Sequence, residues 1–242
     1  MRTLHVKVFR KWSANEGRPF YQEFHVPEFE RMSVLMLLDA IKEHWDSTLH
    51  YEAVCRSSIC GSCAIKINGR PRLACKTQTS DLPEHILLEP LDVFPLIRDL
   101  ATDKSVFFEK LNQALETWVH RKHPFDGTDE ILTNEIANRL YDTERCIECG
   151  ICISACPAAS FAGFIGATGS SKGLRFALDP RNENKQARQK LLTLLTSNEG
   201  LWGCHGVGAC KNFCPKEIPL INQLANARME VLKLVFGEMV SN

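Results

Sequence analysis

The sequence predicts an α+β protein in two parts: a small mixed α/β domain over residues 1–100 and a helical domain over residues 101–242, joined near residues 98–105. Three observations predict it. Alternating apolar residues mark strands in the first hundred residues, helix-like segments separated by breakers follow after that, and the cysteines fall into three tight groups at 55–75, 146–156 and 204–214.

RTLHVKVF at 2–9 places Leu4, Val6 and Val8 on one face of a strand. SANEGR supplies a turn, and Phe20, Gln22, Phe24 and Val26 share a face of a second strand. Ser33 is the expected N-cap of SVLMLLDAIKEHW, whose Val34, Leu37, Leu38, Ile41 and Trp45 recur on one helical face. ILLEPL at 86–91 reads as a further strand. Beyond residue 100, DKSVFFEKLNQALETWV and TNEIANRLYDTE read as helices separated by the breakers of HPFDGTDE. NKQARQKLLTLLT is a polar helix, and an amphipathic helix runs from about Pro219 to Met239. Its apolar set (Ile221, Leu224, Val231, Leu232, Val235, Phe236) is expected in the core or in a subunit contact.

Hydrophobic residues make up 44% of the 242 and charged residues 24%, which predicts a packed globular chain rather than a disordered one. With 29 basic and 29 acidic residues the formal charge is zero, so no nucleic-acid partner is expected. The strongly apolar runs, such as Val34–Leu38, are far shorter than the roughly 18–20 residues of a membrane span. MRTLHVKVFRKW lacks an apolar signal core, and the expected compartment is the cytoplasm.

A reducing compartment disfavours disulfides, and eleven cysteines at tight spacing point instead to metal binding. CRSSICGSCAIKINGRPRLAC carries Cys55, Cys60 and Cys63 at C-x4-C-x2-C spacing, with Cys75 following. That spacing is the one used around [2Fe–2S] clusters; a structural zinc site, which more often uses paired two-residue spacings, is the alternative. Gly61 and Ser62 let the chain turn its N–H groups toward sulfur. CIECGICISACP at 146–157 is a full C-x2-C-x2-C-x3-C-P run, and CHGVGACKNFCP at 204–215 repeats it with Val207 in the second cysteine's place. In two-cluster ferredoxins the fourth cysteine of each run ligates the other cluster. That rule assigns Cys146, Cys149, Cys152 and Cys214 to a [4Fe–4S] cluster, and Cys156, Cys204 and Cys210 to a three-cornered [3Fe–4S] cluster. A [4Fe–4S] cluster with one open iron is the alternative for the latter, though Val207 is a poor substrate-binding neighbour for it.

These three stretches resemble the iron–sulfur subunit of succinate dehydrogenases and quinol:fumarate reductases, and the resemblance covers nearly the whole chain. It implies a plant-ferredoxin-like β-grasp domain followed by a bacterial-ferredoxin-like helical domain. It implies two kinds of partner: a flavoprotein subunit whose FAD interconverts fumarate and succinate, and a membrane anchor where a quinone reacts, often with haem b. This chain would carry single electrons between them, with no catalytic site for fumarate of its own, from the cytoplasmic face of the inner membrane. The family order puts [2Fe–2S] nearest the flavin, [4Fe–4S] between and [3Fe–4S] nearest the quinone.

By the same resemblance, His205 matches the family's histidine beside the third cluster, and Pro157, Trp202 and Val207 would line its neighbourhood. Arg228 lies where some fumarate reductases place a lysine near the quinone. Competing readings are cluster packing for His205, core filling for Trp202 and a solvated helix face for Arg228. Phe161 stands near where ubiquinone-using relatives have tryptophan; with the Gly-rich AGFIGATGSSKG at 162–173 it favours fumarate reduction, for which menaquinol is the suited donor. That Gly-rich stretch lacks the phosphate-loop pattern and is read as a close helix crossing or loop. The other histidines are dispersed and read as surface or packing residues. The alternative functions are an iron–sulfur subunit of another flavoprotein or disulfide-reductase complex, and a free ferredoxin-like carrier.

Overall fold

The computed structural model describes residues 2–105, 108–109, 112, 126–128, 131–161 and 163–240. Most of the helix expected at 103–119 and much of the breaker segment after it lie outside the described residues. The chain forms two compact units, Met1–Lys104 with Ile147–Ala155, and Ser105–Cys146 with Cys156–Asn242.

The first unit is built on a five-stranded sheet in the order β2-β1-β5-β3-β4. β1 (Thr3–Arg10) pairs antiparallel with β2 (Phe20–Pro27) and parallel with β5 (His85–Glu89). β3 (Ala64–Ile67) pairs antiparallel with both β5 and β4 (Arg70–Leu73). Alternation sends Leu4, Val6, Val8, Phe24, Val26, Ile86 and Leu88 inward, none more than 5% exposed. α1 (Val34–His44) contributes Val34, Leu35, Leu37, Leu38 and Ile41, and each such burial stabilises by about 1.5–3 kcal/mol. Ser33 caps α1, its hydroxyl accepting the Met36 N–H at 3.2 Å.

One expectation here needs correction. Trp45 is not on the helix's buried face: α1 stops at His44, Trp45 leaves helical geometry (φ −122°), and it is 47% exposed. Phe20, Gln22, Phe24 and Val26 do alternate along β2; Phe24 and Val26 are buried, while Phe20, at the strand's first position, is 44% exposed. The β3–β4 hairpin was hidden inside the first cysteine group, although Asn68-Gly69 between two strand-like runs is a strong hairpin signal. Both turn residues have positive φ, 50° and 74°, as a type I′ turn requires. Register also gathers histidines that the sequence scatters: on neighbouring strands, the His5 ring lies 4.7 Å from that of His25 and 4.9 Å from that of His85.

One buried polar node ties the unit together. The Arg10 guanidinium donates to Asp99 Oδ1 at 3.2 Å, Asp46 Oδ2 at 2.7 Å and Thr48 Oγ1 at 2.9 Å. Asp99, 1% exposed, also accepts the backbone N–H groups of Lys11 and His50, both at 2.9 Å. The second hairpin, β6 (Leu96–Arg98) with β7 (Ala101–Thr102), is thereby joined to β1 and to the segment after α1. α3 (Ile151–Ser154) belongs to this unit, where the Ser154 hydroxyl accepts the Asp92 N–H at 3.0 Å.

The described elements of the second unit are helical. α2 (Asn134–Glu144) is capped by Thr133, and α6 (Lys185–Leu195) by Asn184, whose side chain accepts two N–H groups. α4 (Pro157–Phe161) and α7 (Ala209–Phe213) each follow a cysteine-run residue or carry one. The Gly-rich stretch enters α5 (Gly166–Leu178), which crosses α6 closely: a Cβ on Gly173 would stand 2.8 Å from Leu195 Cδ2. On α8 (Leu220–Val240), Leu224 and Val231 are buried, Ile221 and Leu232 half-buried, and Phe236 is exposed; the side chain of Val235 lies outside the described residues. Among the described residues no helix is long and apolar enough to cross a membrane.

Removing Arg10 strands a buried carboxylate, so Arg10→Leu is expected to cost about 3–5 kcal/mol in a urea unfolding series. For Asp46, burial opposes ionisation but the Thr48, Arg10 and Gln22 hydrogen bonds outweigh it and hold the carboxyl well below its ordinary value. Its folded pKa lies below the unfolded one, so its contribution is complete above about pH 4 and fades as pH falls further. Asp46→Asn should therefore lose stability at pH 7 and show a shallower additional loss than the parent chain below pH 4.

Candidate metal centres

The first cysteine loop is wound so that main-chain donors face sulfur. Cys55 Sγ accepts the N–H groups of Ser57, Ile59 and Cys60 at 3.4, 3.3 and 3.2 Å. Cys60 Sγ in turn accepts the Cys55 N–H at 3.4 Å and lies 3.1 Å from the Ser62 hydroxyl. Reaching this shape takes left-handed backbone at Arg56, Ser58 and Gly61, with φ of 56°, 59° and 75°. For Cys60, burial works against ionisation, but the Ser62 and Cys55 hydrogen bonds bring its thiol down to about 6. Burial is the larger effect at Cys63, which is pushed up to about 12 with Cys75 and Cys60 adding to it.

The β3–β4 hairpin brings the fourth cysteine back to the third. Cys63 directly precedes β3, Cys75 follows β4, and the Ala74 N–H donates to the Cys63 carbonyl at 3.0 Å. Ser58 Oγ stands 3.7 Å from Cys75 Sγ. The loop is pinned to α1 by Arg56, which forks onto Asp39 at 2.6 and 3.0 Å, and Tyr51 donates to the same carboxylate at 2.5 Å. Lys104 donates to the carbonyls of Gly61 and Ser62 at 3.5 and 3.3 Å. Main-chain N–H donors aimed at Cys55 and Cys60, with the hairpin returning Cys75 toward Cys63, fit a compact, anionic [2Fe–2S] group.

Within this unit Gly61 also abuts the second cysteine run. A Cβ on Gly61 would lie 2.7 Å from Cys149 Cβ and 2.9 Å from Cys149 Cα. Cys149 and Cys152 are themselves buried.

In the second unit the remaining cysteines sort by proximity. Burial pushes the Cys210 thiol up, and the Cys204 and Cys156 sulfurs add to the effect. Burial likewise raises Cys146, where Thr168 and Lys172 oppose it and Cys214 reinforces it. Thus Cys156 keeps company with Cys204 and Cys210, and Cys214 with Cys146. None of the eleven cysteines is in a disulfide. Among the described residues no group of three or more His, Cys, Asp or Glu side chains is gathered as a single ion would need.

The residues expected near a quinone lie at the same cysteines. Pro157 opens α4 directly after Cys156 and is exposed, as is His205 after Cys204. Val207 is 63% exposed between Gly206 and Gly208, and Trp202 is 40% exposed, which excludes core filling. Arg228 does not face solvent freely. Its guanidinium donates to the Leu201 carbonyl at 2.8 and 3.1 Å, donates to the Cys204 carbonyl, and stands 5.9 Å from the Trp202 ring centre. Sequence reasoning missed this clamp, because a contact between α8 and a loop 24 residues earlier leaves no local pattern. The side chain of Phe161 lies outside the described residues.

Gly61 and Gly206 separate two costs of replacing glycine. Both have positive φ, but a Cβ on Gly206 meets nothing within 4 Å. Gly206→Ala should cost about 1–2 kcal/mol of backbone strain alone. Gly61→Ala must also displace the Cys149 main chain, so it should lower the urea midpoint further and reduce bound iron. Equal losses in the two variants would contradict the close packing.

A 2Fe-2S iron-sulfur cluster binding domain matches residues 5–109, and a 4Fe-4S dicluster domain matches residues 142–218. The fumarate reductase iron-sulfur subunit of Wolinella succinogenes is 35% identical over 238 residues, covering 96% of this chain and 99% of the relative. The subunit of the same description from Mycobacterium tuberculosis is 36% identical over 217 residues, covering 88% and 86%. In fold, a chain of the Mycobacterium smegmatis Sdh1 complex in the apo form superposes with a TM-score of 0.82 at 24% identity, covering 97% of this chain and 98% of that one. The cysteine loop with its inward donors, the two matched cluster domains and the end-to-end likeness to these relatives lead to one conclusion: the chain belongs to the family of iron–sulfur subunits of fumarate reductase and succinate dehydrogenase complexes, which are oxidoreductases.

Proposed function

We propose that this chain passes single electrons between a quinone site in a membrane anchor and the FAD of a flavoprotein subunit, working in the direction of fumarate reduction by menaquinol. The observation that supports the reading is that the sulfurs of Cys156 and Cys204 act on Cys210, and that of Cys214 on Cys146; two shared clusters would bring these same cysteines together. The proposed ligands are Cys55, Cys60, Cys63 and Cys75 for [2Fe–2S]; Cys146, Cys149, Cys152 and Cys214 for [4Fe–4S]; and Cys156, Cys204 and Cys210 for [3Fe–4S]. The clusters supply one-electron carriage between two partners, flavin and quinone, that each exchange two electrons.

The chain's own residues position and insulate that path. Gly61 lets the first loop touch Cys149, which shortens the protein between neighbouring ligand sets. Arg228 holds the carbonyl of Cys204 and so fixes the loop that presents His205 and Val207. Trp202, His205, Val207 and Pro157 leave exposed surface beside the third set, suited to a quinone neighbourhood and to contact with an anchor subunit. Arg228 acts there as a scaffold rather than as a quinone ligand. The chain is placed peripherally, on the cytoplasmic face of the membrane. The two domains are proposed as residues 1–100 and 101–242. The fumarate reductase names of the relatives from Wolinella succinogenes and Mycobacterium tuberculosis support the direction.

Val207→Cys tests the reading at the vacant corner. In the complex purified with its flavoprotein and anchor, the parent is expected to show the oxidised-state paramagnetic signal of [3Fe–4S]. The variant should lose that signal, gain a second [4Fe–4S] signal on reduction and oxidise menaquinol more slowly. A variant whose oxidised signal is unchanged would sink the ligand partition.

A further inference from the structure

We propose that α5 sets the reduction potential of the second cluster through Thr168, whose hydroxyl contacts the sulfur of Cys146, and Lys172, which adds positive charge one helical turn further along the same face; the proposal rests on reading Cys146 as a ligand of that cluster. Residues four apart on a helix share a face, and here Thr168 on that face meets Cys146. The Thr168 hydroxyl is 3.9 Å from Cys146 Sγ, and Thr168 is 3% exposed. A threonine there has a hydroxyl to donate once the thiol is a metal-bound thiolate with no proton of its own.

Lys172 supplies the charge. It is half-buried, its ammonium 5.7 Å from the centre of the Phe108 ring. Burial pushes its pKa down, while Cys146 and Glu144 favour the charged form and Arg175 opposes it. Arg175 is itself ion-paired with Glu144, so the cation acting on Cys146 from this face of α5 is Lys172. Cys146 and Lys172 are both half-buried, and partial shielding from water strengthens charge interactions relative to bulk solvent.

Reduction adds one electron, hence one negative charge, to a group already surrounded by thiolates. A hydrogen bond to a ligand sulfur and a nearby cation each stabilise that added charge, so both raise the potential. No bond forms or breaks, and no proton need move at either residue. The electron that enters leaves unchanged, and α5 decides only how readily it stays. Thr168 contacts this one sulfur and Lys172 acts on it through charge, so the influence is specific to the cluster that Cys146 holds.

The test is a redox titration of the purified complex, following each cluster by electron paramagnetic resonance. Thr168→Val and Lys172→Met are each expected to shift the second cluster's one-electron equilibrium toward the oxidised form by about tenfold, which is 59 mV. Thr168→Ser and Lys172→Arg should retain the parent potential, and the first and third clusters should not move in any variant. Thr168→Ala and Lys172→Gln carry the same expectation as the larger changes and replace them if those assemble poorly. Variants with full second-cluster intensity and an unmoved potential would overturn the tuning. So would Lys172→Arg falling as far as Lys172→Met. A parent complex without a [4Fe–4S] signal would overturn the cluster reading itself, and the tuning with it.

Discussion

A cysteine thiolate that is to hold a metal cluster must be met by hydrogen-bond donors, and that interaction organises this chain. At the first loop the donors are main-chain N–H groups aimed at Cys55 and Cys60. They can be aimed only if the backbone enters left-handed geometry at three places within six residues, two of them not glycine. Such strain persists where surrounding structure holds it in place. The Arg56–Asp39 fork, the Tyr51 bond to the same carboxylate and the Lys104 bonds to the Gly61 and Ser62 carbonyls are that structure.

The remaining architecture of the first unit follows from presenting this loop. α1 supplies Asp39, and its first turn bonds the segment after β4: Leu35 donates to Ala74 and Val34 to Thr77. The hairpin closes the distance between Cys63 and Cys75, and the buried Arg10 node ties the β6–β7 hairpin to the end of β1 through Asp99. In the second unit side chains meet the cysteine runs: the Cys146 thiol faces the Thr168 hydroxyl, and Arg228 grips the carbonyl of Cys204.

Much of this was legible in the sequence because its signals are local. The alternation around Leu4, Val6 and Val8, the Ser33 cap and the cysteine spacings each span a few residues. The ligand exchange proposed between the C-terminal runs rests on a rule learned from other ferredoxins rather than on a local pattern. What stayed hidden depends on tertiary register. Trp45 keeps helical spacing yet lies past the helix end, the β3–β4 hairpin sits inside a cysteine motif that drew attention from Asn68-Gly69, and His5, His25 and His85 meet only after three strands align. Arg228 looked like a surface cation because nothing near it in sequence announces the carbonyls it holds.

The family membership makes this chain part of an oxidoreductase complex; the proposed function makes it the one-electron link inside that complex. Its central claim is that eleven cysteines hold three clusters of different iron content, the third one iron short because Val207 replaces a thiolate. Mössbauer spectroscopy of the iron-enriched complex tests this most directly, because it weighs each iron environment by its population. The account predicts three components in proportion to the two, four and three irons of [2Fe–2S], [4Fe–4S] and [3Fe–4S]. A third component with the weight and reduced-state spectrum of a second four-iron cluster would contradict it.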